Sequence, residues 1–154
     1  MGINSLDIKI SRKWRINMDI EYKENPSFKL DQLIDLYTDA GWISYTARPE
    51  DLHKAVKNSL FTLGAFSDGD LIGLIRVVGD DVSIIYIQDI LVKKSCQRLG
   101  IGSVLLQTVL SKYKDVRQIV LMTDETEKTK SFYEKNGMVT LDRYDGVGFV
   151  KYNM

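Results

Sequence analysis

Apolar residues recur every three or four positions over residues 27–40, where Phe28, Leu30, Leu33, Ile34, Leu36 and Tyr37 fall on one stripe. That period predicts an amphipathic helix opened by Ser27 and closed at Gly41. A shorter helix is expected over residues 50–60, with Pro49 at its start and Leu52, Ala55, Val56 and Leu60 along one face. The pattern then changes. Residues 61–66 and 71–78 are short apolar runs around the turn Ser67-Asp68-Gly69-Asp70, and a second turn at Gly79-Asp80-Asp81 leads into a third run over residues 82–92. Runs of that length bounded by glycine and aspartate read as antiparallel strands. A helix begins near Gly100, a strand follows over residues 117–123, and a helix over residues 126–135 ends at Asn136-Gly137. Two strands close the chain, 138–143 and 147–152, joined at Asp145-Gly146, and a short alternating strand at residues 19–23 precedes all of these elements.

The chain has 154 residues, enough to bury a core without covalent staples, and no repeat or low-complexity linker interrupts it. One domain over residues 19–154 is the simplest division. The single cysteine excludes an internal disulfide, and Cys96 with His53 makes no metal-ligand set, so no metal is expected. No apolar run is long enough to span a membrane and no secretory leader pattern is visible, which points to a cytoplasmic protein without a membrane partner. The 21 basic and 21 acidic residues balance, which argues against a broad electrostatic grip on nucleic acid. Charge is uneven only at the start. Residues 1–18 hold Lys9, Arg12, Lys13 and Arg15 against Asp7, and read as an N-terminal extension: the product of an upstream start, a packing arm or a basic tail.

The chemistry concentrates where the run ending Ile90-Leu91-Val92 passes through Lys93-Lys94-Ser95-Cys96-Gln97-Arg98-Leu99 into a helix beginning around Gly100-Ile101-Gly102-Ser103. The first N–H groups of a helix have no acceptor within it and carry the positive end of its dipole, so they can hold a pyrophosphate. Glycine lets the phosphate approach the backbone. A dinucleotide fingerprint fails because Leu105 occupies its third glycine position, and no Gly-Lys-Ser/Thr tripeptide of a Walker loop occurs.

What remains, Gln97-Arg98-x-Gly100-x-Gly102, resembles the Q/R-x-x-G-x-G/A signature of the GNAT superfamily of acyl-CoA-dependent N-acetyltransferases. Downstream, Ser131-Phe132-Tyr133-Glu134-Lys135-Asn136-Gly137-Met138 resembles that family's N-x-x-A-x-x-(F/L)-Y-x-x-x-G-F pattern, with Thr126, Thr129 and Met138 at the usual asparagine, alanine and phenylalanine positions. The resemblance covers roughly residues 19–152. It implies an α/β (α+β) fold of order βααβββαβαββ, a mixed and mostly antiparallel central sheet with helices on both faces. Acetyl-CoA is then the cosubstrate. Its pyrophosphate would lie on the backbone of Gln97, Arg98, Leu99, Gly100, Ile101, Gly102 and Ser103, helped by the Arg98 guanidinium and by Lys93 or Lys94, unless those lysines only solvate the loop. Its pantetheine amides would lie along the strand edge at Ile90, Leu91 and Val92, with Thr126 contributing a contact.

The reaction so implied is attack of an amine on a thioester. A lysine-like amine costs roughly 4–5 kcal/mol to deprotonate at pH 7, so a base or water relay is useful. Gln88-Asp89 stands where family members often have Glu-Asp; only Asp89 can take a proton, and strand alternation sets it opposite Gln88 unless a bulge intervenes. Asp89 is therefore a candidate base or a structural acceptor. Tyr133 is the candidate acid, because a phenol can protonate a departing thiolate without a large pKa shift. Tyr86 shares a face with Gln88, and the family places the acceptor near Trp42 and Tyr45, whose aromatic faces suit an amine and would equally serve to plug the core. The acceptor is a small-molecule or peptide amine of open identity. A non-catalytic acyl-CoA sensor and an interaction module on the same fold remain alternatives. The closing strand over residues 147–152 could pair with its counterpart in a homodimer, unless Lys151 guards that edge.

Overall fold

Strands β1 (Glu21–Glu24), β2 (Phe61–Ser67), β3 (Asp70–Gly79), β4 (Ile84–Val92) and β5 (Gln118–Val120) form one sheet in chain order. The first three pairings are antiparallel and β4–β5 is parallel. The computed structural model describes residues 18–153, which divide into two compact units meeting in sequence at Val120 and Leu121. The extension expected over residues 1–18 lies, but for Met18, outside the described residues.

In the first unit, helices α1 (Leu30–Asp39), α2 (Ile43–Thr46) and α3 (Pro49–Lys57) precede β2, and α4 (Ile101–Lys112) connects β4 to β5. Helix α1 starts three residues later than the periodicity predicts. Phe28 is buried and stacked on Phe66 of β2 with ring centroids 6.3 Å apart, which holds the preceding segment against the sheet. The other end agrees with expectation: Gly41 adopts φ +79°, its N–H donates to the Thr38 carbonyl at 2.9 Å, and the Trp42 N–H donates to the Tyr37 carbonyl at 3.0 Å. Those two bonds satisfy carbonyls that the helix end leaves open. Between the two expected helices, residues 43–46 form the short helix α2.

Helices α1 and α3 bury Leu33, Leu36, Tyr37, Leu52 and Val56 in one cluster with Phe66, Leu71, Leu74 and Leu91 of the sheet. Helix α4 covers the other face through Ile101, Leu105, Leu106 and Val109, and Tyr113 just after it meets Phe61 edge-on at 6.0 Å. Gly73 on β3 makes this approach possible, since a Cβ there would stand 3.2 Å from Ile101.

In the second unit, α5 (Glu127–Lys135) is opened by Thr126, whose hydroxyl accepts the Thr129 N–H. It closes as predicted at Gly137, with φ +90°, the Gly137 N–H donating to Glu134 and the Met138 N–H donating to Tyr133. The two closing strands are not formed. Residues 141–144 make a 3-10 turn, residues 145–153 carry no regular structure, and Phe149 is 91% exposed. A strand needs a neighbouring ladder, and among the described residues no segment pairs with 138–152. Strand propensity alone does not supply one. The strand expected at residues 147–152, whose edge was to pair in a homodimer, is thus not formed.

The β3–β4 turn depends on two residues. The Asp80 carboxylate accepts the N–H groups of Val82, Ser83 and Ile84 at 2.8–3.1 Å and the Ser83 hydroxyl, which holds its pKa well below the usual carboxylate range. Gly79 sits at φ +146°, where a Cβ would lie 2.3 Å from the Ile84 carbonyl oxygen. Gly79→Ala is therefore expected to lower stability by at least about 1–3 kcal/mol, the scale of a strained backbone position. Urea unfolding checks it, and an unchanged midpoint would contradict this role.

Candidate active site

A charge in the middle of the apolar run 71–78 must find a partner or unfold its strand. Arg76 finds Asp89. Its Nε donates to Asp89 Oδ2 at 2.6 Å across the β3–β4 ladder, with both residues at least 95% buried. Asp89 also accepts from the Tyr37 hydroxyl at 2.6 Å and from the Tyr45 hydroxyl at 3.1 Å. Burial opposes the Arg76 charge, but the facing carboxylate outweighs it and raises the arginine pKa. Burial, then the Asp89 charge, raises both phenols, so Tyr37 and Tyr45 stay protonated donors at neutral pH. Sequence reasoning missed Arg76 and Tyr37. The signal for Arg76 was available, since an arginine inside an otherwise apolar strand requires a counterion.

The bulge left open by strand alternation is present. Arg76 faces Asp89 and the next residue, Val77, faces Ile87, so Gln88 is the extra residue of β4. Such a residue is left out of the ladder and turns the strand. Gln88 and Asp89 consequently converge on one group: Gln88 Nε2 donates to the Tyr45 hydroxyl at 3.1 Å while that hydroxyl donates to Asp89. Tyr45 stacks on Trp42 at 5.9 Å, and both are half-buried against the α1–α3 cluster, so this pair packs the core on one side and borders Gln88 on the other. Tyr86 is half-buried on β4 opposite Val78.

Beyond Tyr86, β4 has no parallel partner, because β5 contributes only the three rungs to Ile84, Ile85 and Tyr86. Ile90, Leu91 and Val92 thus have no strand partner on that side among the described residues, while their other side pairs with β3. The chain then turns through a 3-10 segment at Lys94–Cys96, passes Arg98 at φ +64° and Gly100 at φ +83°, and enters α4 at Ile101. This loop is tied to α1. Lys93 Nζ pairs with Asp35 at 2.5 Å, which raises its pKa, and the Lys94 N–H donates to Asp39 at 2.7 Å. Gln97 Nε2 reaches back to the Val92 carbonyl at 3.3 Å. Lys93, expected with Lys94 to assist an anion or only to solvate the loop, carries the ion pair with Asp35, and Lys94 and Arg98 are exposed. The N–H groups of Ile101 and Gly102 fall in the first turn of α4, where a helix offers no acceptor. The first unit therefore brings together a strand edge for amide groups, a helix N-terminus for an anion, and the Trp42–Tyr45–Gln88–Asp89 group.

Tyr133 and Thr126 belong to the second unit. Tyr133 is half-buried on α5 with its ring edge-on to Phe132 at 5.1 Å. The Thr126 hydroxyl donates to Thr129 Oγ1 at 2.8 Å as well as accepting the Thr129 N–H, which caps α5, and the residue is exposed.

The family model described as "Acetyltransferase (GNAT) family" matches residues 24–138. Among solved structures, a GNAT-family acetyltransferase from Streptococcus pneumoniae TIGR4 is 37% identical, with 88% of this chain and 98% of that chain covered and a TM-score of 0.78. A probable acetyltransferase of unknown function from meticillin-resistant Staphylococcus aureus is 25% identical over 87% and 100% of the two chains, with a TM-score of 0.71. An aminoglycoside N-acetyltransferase in complex with CoA, 17% identical over 90% and 96% with a TM-score of 0.62, shares the fold. No functionally curated protein matches the chain.

Removing one member of a buried ion pair leaves an uncompensated charge, whereas replacing both members is often close to neutral. Arg76→Met should therefore destabilise the protein by about 3–5 kcal/mol, and the double variant Arg76→Met with Asp89→Leu should recover much of that loss. Thermal unfolding checks both. A single variant as stable as the parent would show that the pair contributes nothing.

Proposed function

Because this chain belongs to the GNAT family of acetyltransferases, we propose that it transfers an acetyl group from acetyl-CoA directly to the nitrogen of a primary amine. The observation that carries this reading is the continuity of the open β4 edge with the left-handed Gly100 entry into α4. The pantetheine arm lies along Ile90, Leu91 and Val92, with its amides bonded to backbone. At roughly 3.3 Å per residue, Gln88 to Val92 spans about 13 Å, which separates the thioester end from the anion end. The pyrophosphate lies on the N–H groups between Gln97 and Ser103, where the helix dipole and Arg98 favour negative charge.

In the chemical step the amine lone pair forms the C–N bond as the C–S bond breaks and thiolate departs. The amine must arrive neutral or lose its proton to solvent, because the Asp89 carboxylate already accepts three hydrogen bonds and is 2% exposed. We therefore assign Asp89 the role of holding Tyr45 and the β4 bulge in place, and Tyr133 the role of proton donor to the thiolate. Trp42, Tyr45, Tyr86 and Gln88 border the acceptor, a small-molecule or peptide amine. The reading places the enzyme in the cytoplasm, in keeping with its single free and buried Cys96.

Two outcomes test this reading. Gly102→Glu sets bulk and negative charge at the start of α4, so calorimetry should register loss of acetyl-CoA binding in a folded variant; retained affinity would refute the anion site. Tyr133→Phe keeps the ring and removes the hydroxyl, so thiol release with an accepted amine should fall about 10²- to 10⁴-fold while acetyl-CoA affinity and melting temperature hold. A loss under about threefold would make Tyr133 a packing residue. Binding of acetyl-CoA without thiol release from any amine in a broad panel would identify a sensor.

A further inference from the structure

The Tyr45 hydroxyl has one proton. The Asp89 carboxylate accepts from the Arg76 guanidinium and from the Tyr37 hydroxyl, and its Oδ1 takes the Tyr45 proton. That leaves the Tyr45 oxygen as an acceptor toward Gln88. A carboxamide has one donating and one accepting end, so the bond from Nε2 to Tyr45 fixes which end faces away. The end turned away is the carbonyl, Oε1, on a side chain that is exposed. It stands two residues beyond the last β4–β5 rung at Tyr86, where the strand edge opens.

We propose that Gln88 is the residue that recognises the acceptor amine. Its Oε1 receives one N–H of the amine, and the order Arg76 to Asp89 to Tyr45 to Gln88 sets the polarity of the amide that does so. The proposal rests on the acetyl-transfer reading above and deepens it. A primary amine has two N–H bonds, so one can rest on Oε1 while the lone pair points at the thioester carbon. As the C–N bond forms and the C–S bond breaks, the surplus N–H proton leaves to solvent and the thiolate is protonated. The products are the amide and free thiol. A neutral carbonyl oxygen grips the N–H without bringing a second negative charge beside Asp89. Gln88 thereby acts as a contact and specificity residue, and Tyr45 and Asp89 as positioning residues.

The test uses the full chain with acetyl-CoA and an amine that it acetylates. Gln88→Leu removes the acceptor and should raise KM for the amine about fivefold to tenfold, the scale of one hydrogen bond, with acetyl-CoA affinity by calorimetry unchanged. Tyr45→Phe frees the amide to rotate and should raise the same KM by a smaller factor. A structural readout accompanies the kinetics: the Gln88 side-chain NH2 pair, identified in nitrogen-15 spectra by its loss in Gln88→Leu, should move toward free glutamine positions in Tyr45→Phe. An unchanged KM in a folded Gln88→Leu variant overturns the contact. An NH2 pair insensitive to Tyr45→Phe overturns the orienting chain. If the intact protein releases thiol with no amine, the parent reading fails and this one with it; turnover with an indifferent Gln88 removes this one alone.

Discussion

A carboxylate buried between two strands and two helices is the constraint around which the first unit is arranged. A buried carboxylate without partners would pull its strand toward water. It is tolerated because Arg76, Tyr37 and Tyr45 approach from β3, α1 and α2 and satisfy it from three directions. Each donor ties a different element to β4, so the same contacts that compensate the charge also fix where α1 and α2 sit on the sheet. A hydrophobic replacement of similar volume could fill the space, but it would not set the direction of the Tyr45 hydroxyl.

The loop at the end of β4 is fastened by the same helix. Asp35 and Asp39, one turn apart on α1, hold Lys93 and the Lys94 backbone, so a single helix carries the Tyr37 contact near its end and both anchors of the loop. This leaves the backbone from Arg98 onward to be shaped by its own left-handed residues, Arg98 and Gly100. A rigid support beneath a strained turn keeps N–H groups aimed outward without needing a ligand to order them.

The helices and the meander were legible because their signals are local. Period and turn chemistry predict α1, α3, β2 to β4 and α5, and the glycines at 41 and 137 close their helices as the pattern requires. Boundaries moved where a distant contact intervened, as at Phe28 against Phe66. The last two strands were misread for a related reason: alternation over residues 147–152 is a statement about side chains, whereas a strand exists only through a neighbour's backbone. Within the candidate site, the glycine-flanked junction was legible from spacing, but the Gln88–Asp89 geometry was not. It turns on one extra residue in a ladder, which no periodicity reveals, and that bulge sends both side chains to Tyr45. The Lys93 ion pair was not legible because its partner, Asp35, lies 58 residues earlier in the chain.

The sheet runs in chain order, and this bears on how the molecule assembles. Strands β2, β3 and β4 are successive hairpins, so most of the sheet closes over short loops, whereas β1 must wait for the helices between it and β2, and β5 for α4. Local pairing of that kind lowers the entropy of ordering the chain before contacts form and favours rapid folding. Arg76 and Asp89 lie on neighbouring arms of one such hairpin. A hairpin that closes ahead of the helices would bring the two charges face to face while water still surrounds them, so that the helices would exclude that water from a pair already formed.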